Sequence, residues 1–164
     1  MVVMAVPRNE ALVRRFYEEV WNGGNVAVAE EIFAPDYLRH DLRPTRPAPG
    51  GAGMAAIAAA FRAAFPDLRM DVDLILSDGD LVAARWTSTG TFSGPWGDVA
   101  PTGARATFSG VNIFRIRDGR VVELWNHRDD LGLMEQVGAP VFAGSPPDPD
   151  GPTAGRAGTV DAER

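Results

Sequence analysis

Residues 104–130, ARATFSGVNIFRIRDGRVVELWNHRDD, decide how this chain folds. Two runs of extended-type residues flank Arg117-Asp118-Gly119-Arg120. Asp-Gly between alternating apolar runs is a strong signal for a hairpin closed by a two-residue turn. Alternation places Gly110, Asn112, Phe114 and Ile116 on one face of the first arm, with Val111, Ile113 and Arg115 on the other. Both faces are largely apolar, so the sheet needs two covers: its own helices on one side and a second body, such as a partner subunit, on the other. Against that background Asn112, Asn126, His127 and Asp129 stand out, because a buried polar group must find a partner in protein, water or ligand.

Working outward, Leu12, Val13, Phe16, Tyr17, Val20 and Trp21 follow helical spacing from Asn9 until Gly23-Gly24 ends the helix. Residues 26–33 read as a second short helix stopped by Ala34-Pro35, and 36–41 (DYLRHD) as an irregular extended piece. Residues 42–53 hold three Pro and three Gly and read as a loop bordering a pocket. An Ala-rich helix over 54–65 follows, closed by Pro66. Residues 69–76 and 81–92 then read as strands around Asp78-Gly79-Asp80, with a Gly/Pro-rich connection carrying Trp96 before the long hairpin. From Gly144 the chain fills with Pro, Gly and Asp and reads as a flexible tail, leaving a domain over 7–143. Three helices followed by four strands predict an α+β fold. Its helices pack on one face of a curved, cone-shaped antiparallel sheet and leave a pocket at the mouth.

A length of 164 residues with 45% hydrophobic content fits a single domain with a proper core. A formal charge of −6 and no visible basic cluster argue against a nucleic-acid partner. All 16 basic residues are arginine. The absence of cysteine removes disulfides, thiolate nucleophiles and sulfur metal sites. No phosphate loop or zinc spacing appears, and neither a metal nor a cofactor is expected. The opening MVVMAV has no basic residues before it and is too short for a signal peptide or a membrane span, so no membrane association and a cytoplasmic location are expected.

The segments VRRFYEEVWNGGN, FAPDYLRHD, FRAAFPDL, PTGARATFSG and IFRIRDGRVVELWNHRDDLGLMEQVG together resemble the SnoaL-like polyketide cyclases of the nuclear transport factor two-like superfamily, from the first helix to Gly138. The resemblance implies frequent dimerisation through the sheet and cofactor-free acid/base chemistry on an aromatic or polyketide ligand. Well-known members close a carbocycle by intramolecular aldol condensation with an aspartate and a nearby histidine. Those positions fall on Asn126 and Asn112 here, and an amide does not exchange a proton near neutral pH. A more distant resemblance to ketosteroid isomerase matches its oxyanion-hole tyrosine to Tyr17, its general base to Asp41 and its acid partner to Asn112. An amide NH2 can donate to an enolate there.

The expected catalytic residues are therefore His40, Asp41, Asn126 and Asp129. The expected substrate-binding residues are Tyr17, Trp86, Trp96, Asn112, Phe114 and His127. Several have structural alternatives. Tyr17 fits a core position with its hydroxyl satisfied, and Asp41 fits a turn. Trp125 and His127 share the face opposite Asn126, so they line either the pocket or a subunit interface. Asp129 either returns to the pocket after a bulge or pairs with Arg128 or Arg85. The expected function is a homodimeric cyclase or isomerase acting on a polyketide-derived or other polycyclic small molecule. The alternatives are a non-catalytic binding or dimerisation domain and an epoxide-hydrolase-like activation of water using Arg85, Arg115 and Asp129.

Overall fold

The structure, a computed structural model, describes residues 2–40 and 48–139. Asp41, the following loop residues to 47 and the tail from Gly144 lie outside the described residues. The first helix begins earlier than predicted, as α1 (Val2–Arg15), and widens into a π-helical turn over Phe16–Asn22. That turn buries Phe16, Tyr17, Val20 and Trp21 together. A π-turn spreads successive side chains differently from an α-helix and often marks a functional site. Its end is held in two ways. Arg62 donates to the carbonyls of Trp21 (2.7 Å) and Asn22 (3.1 Å). The Asn22 side chain exchanges two hydrogen bonds with the Met70 backbone, at 2.7 and 2.9 Å.

After α2 (Val28–Ile32) the chain enters β1 (Phe33–His40). The piece read as irregular and extended is part of this strand, with a register shift between Phe33 and Leu38. It pairs in parallel with the last strand, through Arg39 opposite Leu124 and His40 opposite Trp125. Helix α3 (Gly50–Ala64) leads to β2 (Arg69–Asp78), β3 (Leu81–Thr91), β4 (Arg105–Arg117), β5 (Arg120–Arg128) and a short closing helix α4 (Asp130–Val137) that the sequence reading lacked. Among the described residues the five strands form one sheet in the order β1-β5-β4-β3-β2. The sheet is antiparallel, as expected, except at its edge, where β1 runs parallel to β5.

The predicted hairpin turn is present. Asp118 and Gly119 both adopt positive φ, at 51° and 75°. That is the backbone of a type I′ turn, whose twist matches the strands it joins. A register shift between Arg115 and Ile116 then brings Asn112 directly opposite Asn126. The helices cover the face holding Val82, Ala84, Trp86, Phe114, Ile116 and Leu124, all buried in the core. The other face presents Val111, Leu74 and Leu76, each exposed.

Candidate functional site

On the helix-covered face a cleft of about 390 Å³, counting its open mouth, lies between the π-turn, α3 and the strands β3 to β5. Its walls are apolar and aromatic, with Phe16, Trp21, Met54, Phe61, Trp86 and Phe108 prominent. Trp86 can lie where it does because Gly110 sits opposite it on β4. A Cβ at Gly110 would fall 2.5 Å from the Trp86 ring and 2.5 Å from the His127 carbonyl.

Four polar side chains reach this cleft: Arg39, Asn112, Asn126 and Arg128. Three of them and Tyr17 form a single directed line of hydrogen bonds. Arg39 Nη2 donates to Asn126 Oδ1 (3.2 Å). Asn126 Nδ2 donates to Asn112 Oδ1 (2.6 Å), and Asn112 Nδ2 donates to the Tyr17 hydroxyl (3.0 Å). A guanidinium can only donate, which sets the orientation of each carboxamide along the line. Asn112 is 6% exposed and Tyr17 fully buried. Burial pushes the Tyr17 phenol far above its ordinary value, and the hydrogen bond from Asn112 offsets only part of this. Tyr17 is thus a neutral phenol that anchors Asn112 from behind. Phe114 also stands behind the cleft, fully buried with its ring edge-on to Phe16 and Tyr17.

Arg128 lies over the Phe61 ring, 4.5 Å from its centroid, and is ion-paired with Asp130 at 2.5 Å. Neither Arg39 nor Arg128 was singled out from the sequence as a site residue. The signal existed for Arg128, which follows Asn126 by two residues and so shares its face.

The other expected site residues are elsewhere. His40 follows Arg39 and faces the opposite side of the sheet. Its ring stacks on Trp125 (4.7 Å between centroids, 12° between planes), and its Nε2 shares a 2.9 Å hydrogen bond with Glu123. That bond, with help from Arg115, holds the Glu123 carboxyl below its usual range. The expectation that His40 lines the pocket is corrected: one residue of strand turns a side chain to the other face. Val111, paired with His127, is on that outer face, and His127 and Trp125 are there with it. The substrate-binding expectation for His127 therefore does not match its position. Asp129 does not return to the cleft. It caps α4, its carboxylate accepting from the Gly132 amide at 2.9 Å, as short acidic side chains do at helix starts. Trp96 is half-buried and wedges against Phe61 and Phe65, at 5.3 and 5.7 Å, as a prop of the core. Arg85 pairs with Asp73, and Arg115 with Asp80 and Glu123, so the residues considered for water activation do not meet. Among the described residues no His, Asp or Glu lines the cleft, and no cluster of metal-ligating side chains occurs.

Comparison with known proteins agrees with this architecture. No curated relative matches the chain in sequence. A provisionally assigned SnoaL-like polyketide cyclase from Jannaschia sp. CCS1 superposes with a TM-score of 0.72 at 27% identity, covering 82% of this chain and 94% of that one. IdmH from Streptomyces antibioticus, provisionally a polyketide cyclase, gives 0.68 at 31% identity over 80% and 99% of the two chains. AclR from Streptomyces galilaeus, provisionally a hydroxylase, gives 0.72 at 28% identity over 81% and 97%. The sequence profile of the SnoaL-like polyketide cyclases matches residues 11–137, and the chain belongs to that family.

Proposed function

We propose that the protein binds a polyketide-derived or other polycyclic ketone in this cleft and catalyses its cyclisation or isomerisation through an enolate, without a cofactor. The observation that carries this reading is the line Arg39–Asn126–Asn112–Tyr17 at the base of an aromatic cleft. In the proposed step a base removes a proton from the carbon next to a carbonyl. The electron pair moves onto the carbonyl oxygen, where the second N–H of an asparagine amide or the Arg39 guanidinium stabilises it. The enolate carbon then attacks a second carbonyl to close a ring, the new alkoxide taking the proton back from the base, or the base returns that proton to another carbon. Fixed donors aimed at developing charge need no reorganisation during the reaction, which makes them effective. Asp41, two residues beyond Arg39, is the base we assign, since the described cleft wall offers no carboxylate or imidazole.

The family's architecture alone does not fix the reaction, as AclR's provisional designation as a hydroxylase illustrates. The test is enolisation itself. In D2O, deuterium exchange at the α-carbon of 2-tetralone, followed by NMR, should be faster with the protein than with buffer alone. The acceleration should be lost in Asn112→Asp. Binding of 2-tetralone without faster exchange would favour the non-catalytic binding domain instead.

The reading includes a homodimer in which a second copy covers the outer face of the sheet. Leu38, Leu74 and Leu76 on that face are 60%, 50% and 61% exposed, an apolar surface of the kind subunit interfaces use. Sedimentation at micromolar concentration should give twice the chain mass, and a monomer would remove this part of the reading.

A further inference from the structure

Two polar atoms on β3 stand apart from the hydrogen-bond line. Trp86 and Ser88 are 2% and 0% exposed, and neither Trp86 Nε1 nor Ser88 Oγ has a hydrogen-bond partner among the described residues. A buried polar group left unpaired is costly, and each one calls for an explanation. Residues two apart on a strand share a face, so one explanation can serve both. That face is the one the helices cover. The Trp86 ring lines the cleft, and Ser88 sits between Met70 on β2 and Phe108 on β4, directly opposite neighbours that line it as well. Packing does not account for the hydroxyl, because an alanine at 88 would keep the same neighbours and leave nothing unpaired.

Their position sets a length. Asn112 pairs with Ala84 on β3, so Trp86 and Ser88 lie two and four residues further along that strand. At about 3.3 Å per residue this is roughly 7 and 13 Å from the Asn112 position. A fused-ring frame with its reacting carbonyl at Asn112 reaches that far along the sheet, whereas a single ring falls short. Neither atom is open to solvent in the free protein, so a ligand reaches them by turning a side chain aside. Met70, opposite Ser88, and Met54 on α3 both line the cleft. An unbranched thioether with three rotatable bonds is well suited to move.

Taking the place of the reacting carbonyl from the proposed function, we infer that the ligand carries a second, neutral oxygen on the far edge of a fused-ring frame, and that Trp86 Nε1 and Ser88 Oγ receive it. That oxygen is a carbonyl or a phenolic hydroxyl. The indole N–H donates to either, and the serine hydroxyl donates to a carbonyl or accepts from a phenol. Trp86 and Ser88 are thus specificity determinants for oxygenation at that edge.

The test compares 2-naphthol with 2,6-dihydroxynaphthalene, which adds an oxygen at the opposite edge, by calorimetry. The diol should bind about tenfold more tightly, the effect of two neutral hydrogen bonds to groups that give up no other partner. Ser88→Ala and Trp86→Phe should each shrink that margin. Without ligand, Ser88→Ala should melt no lower than the native protein, because the deleted hydroxyl has no partner to lose. Equal binding of the two probes to the native protein overturns the inference, as does a margin that both variants leave intact. A clearly lower melting temperature for Ser88→Ala also overturns it, since the hydroxyl would then be held by a buried water that belongs to the fold. Binding of neither probe overturns it too. Exchange of 2-tetralone is read separately: its absence alongside a preserved margin for the diol overturns the enolate reading and not this one.

Discussion

Replacing Asn112 by leucine is expected to lower the stability of the protein by about 1 to 3 kcal/mol, because it strands the buried Tyr17 hydroxyl. The Tyr17 hydroxyl, fully buried, loses its donor, while Asn126 loses one bond at the half-buried cleft wall. For a domain of this size that corresponds to a fall of roughly 3 to 10 °C in melting temperature. Read from the sequence alone, Asn112 is a substrate-binding residue whose amide can donate to an enolate. Its position between Asn126 and Tyr17 makes it structural as well. Asn112→Asp separates the two roles. A carboxylate can still accept from Asn126, and the Tyr17 hydroxyl can rotate from acceptor to donor and bond to it. This variant should melt closer to the native protein than the leucine variant while losing the amide donors that the proposed chemistry uses. If Asn112→Leu melts like the native protein, the hydrogen-bond line is not the framework of the site.

The second large effect concerns the base. Asp41→Asn should reduce turnover by about 10²-fold or more if that carboxylate accepts the proton, with little change in melting temperature. His40→Ala should leave turnover essentially unchanged, because the His40 ring faces Trp125 and Glu123 on the far side of the sheet. It should instead raise the Glu123 carboxyl toward its ordinary value by removing the partner that lowers it most. Turnover measured on both variants decides the matter: equal losses, or a loss confined to His40→Ala, would refute the assignment.

The central hairpin was legible in the sequence because its information is local. Alternation fixed the faces of the first arm and Asp118-Gly119 fixed the turn, but the register shift between Arg115 and Ile116 that brings Asn126 rather than Trp125 opposite Asn112 carries no local sequence signal. The β1 edge was not legible. Its pairing with β5 joins residues far apart in the chain, and Pro35 with the polar run after it reads locally as a loop. Helix α4 is only eight residues long, too short for periodicity to reveal, although Asp129 capping the Gly132 amide is a local start signal. That omission is also why Asp129 was read as a pocket residue. His40 was misplaced for a related reason. Without β1 as a strand, nothing in the sequence showed that Arg39, not His40, shares a face with Asn126. The hydrogen-bond line was out of reach altogether, since it depends on which way two carboxamides point once Arg39 is beside them.

The most direct test of the account is a crystal structure of the protein with 2-naphthol, whose oxygen mimics that of an enolate. The account predicts the naphthol ring between Trp86 and Phe61, with its oxygen within hydrogen-bonding distance of the Asn126 or Asn112 amide or the Arg39 guanidinium. A naphthol bound on the outer face of the sheet beside His40 and Trp125, with the cleft empty, would contradict it.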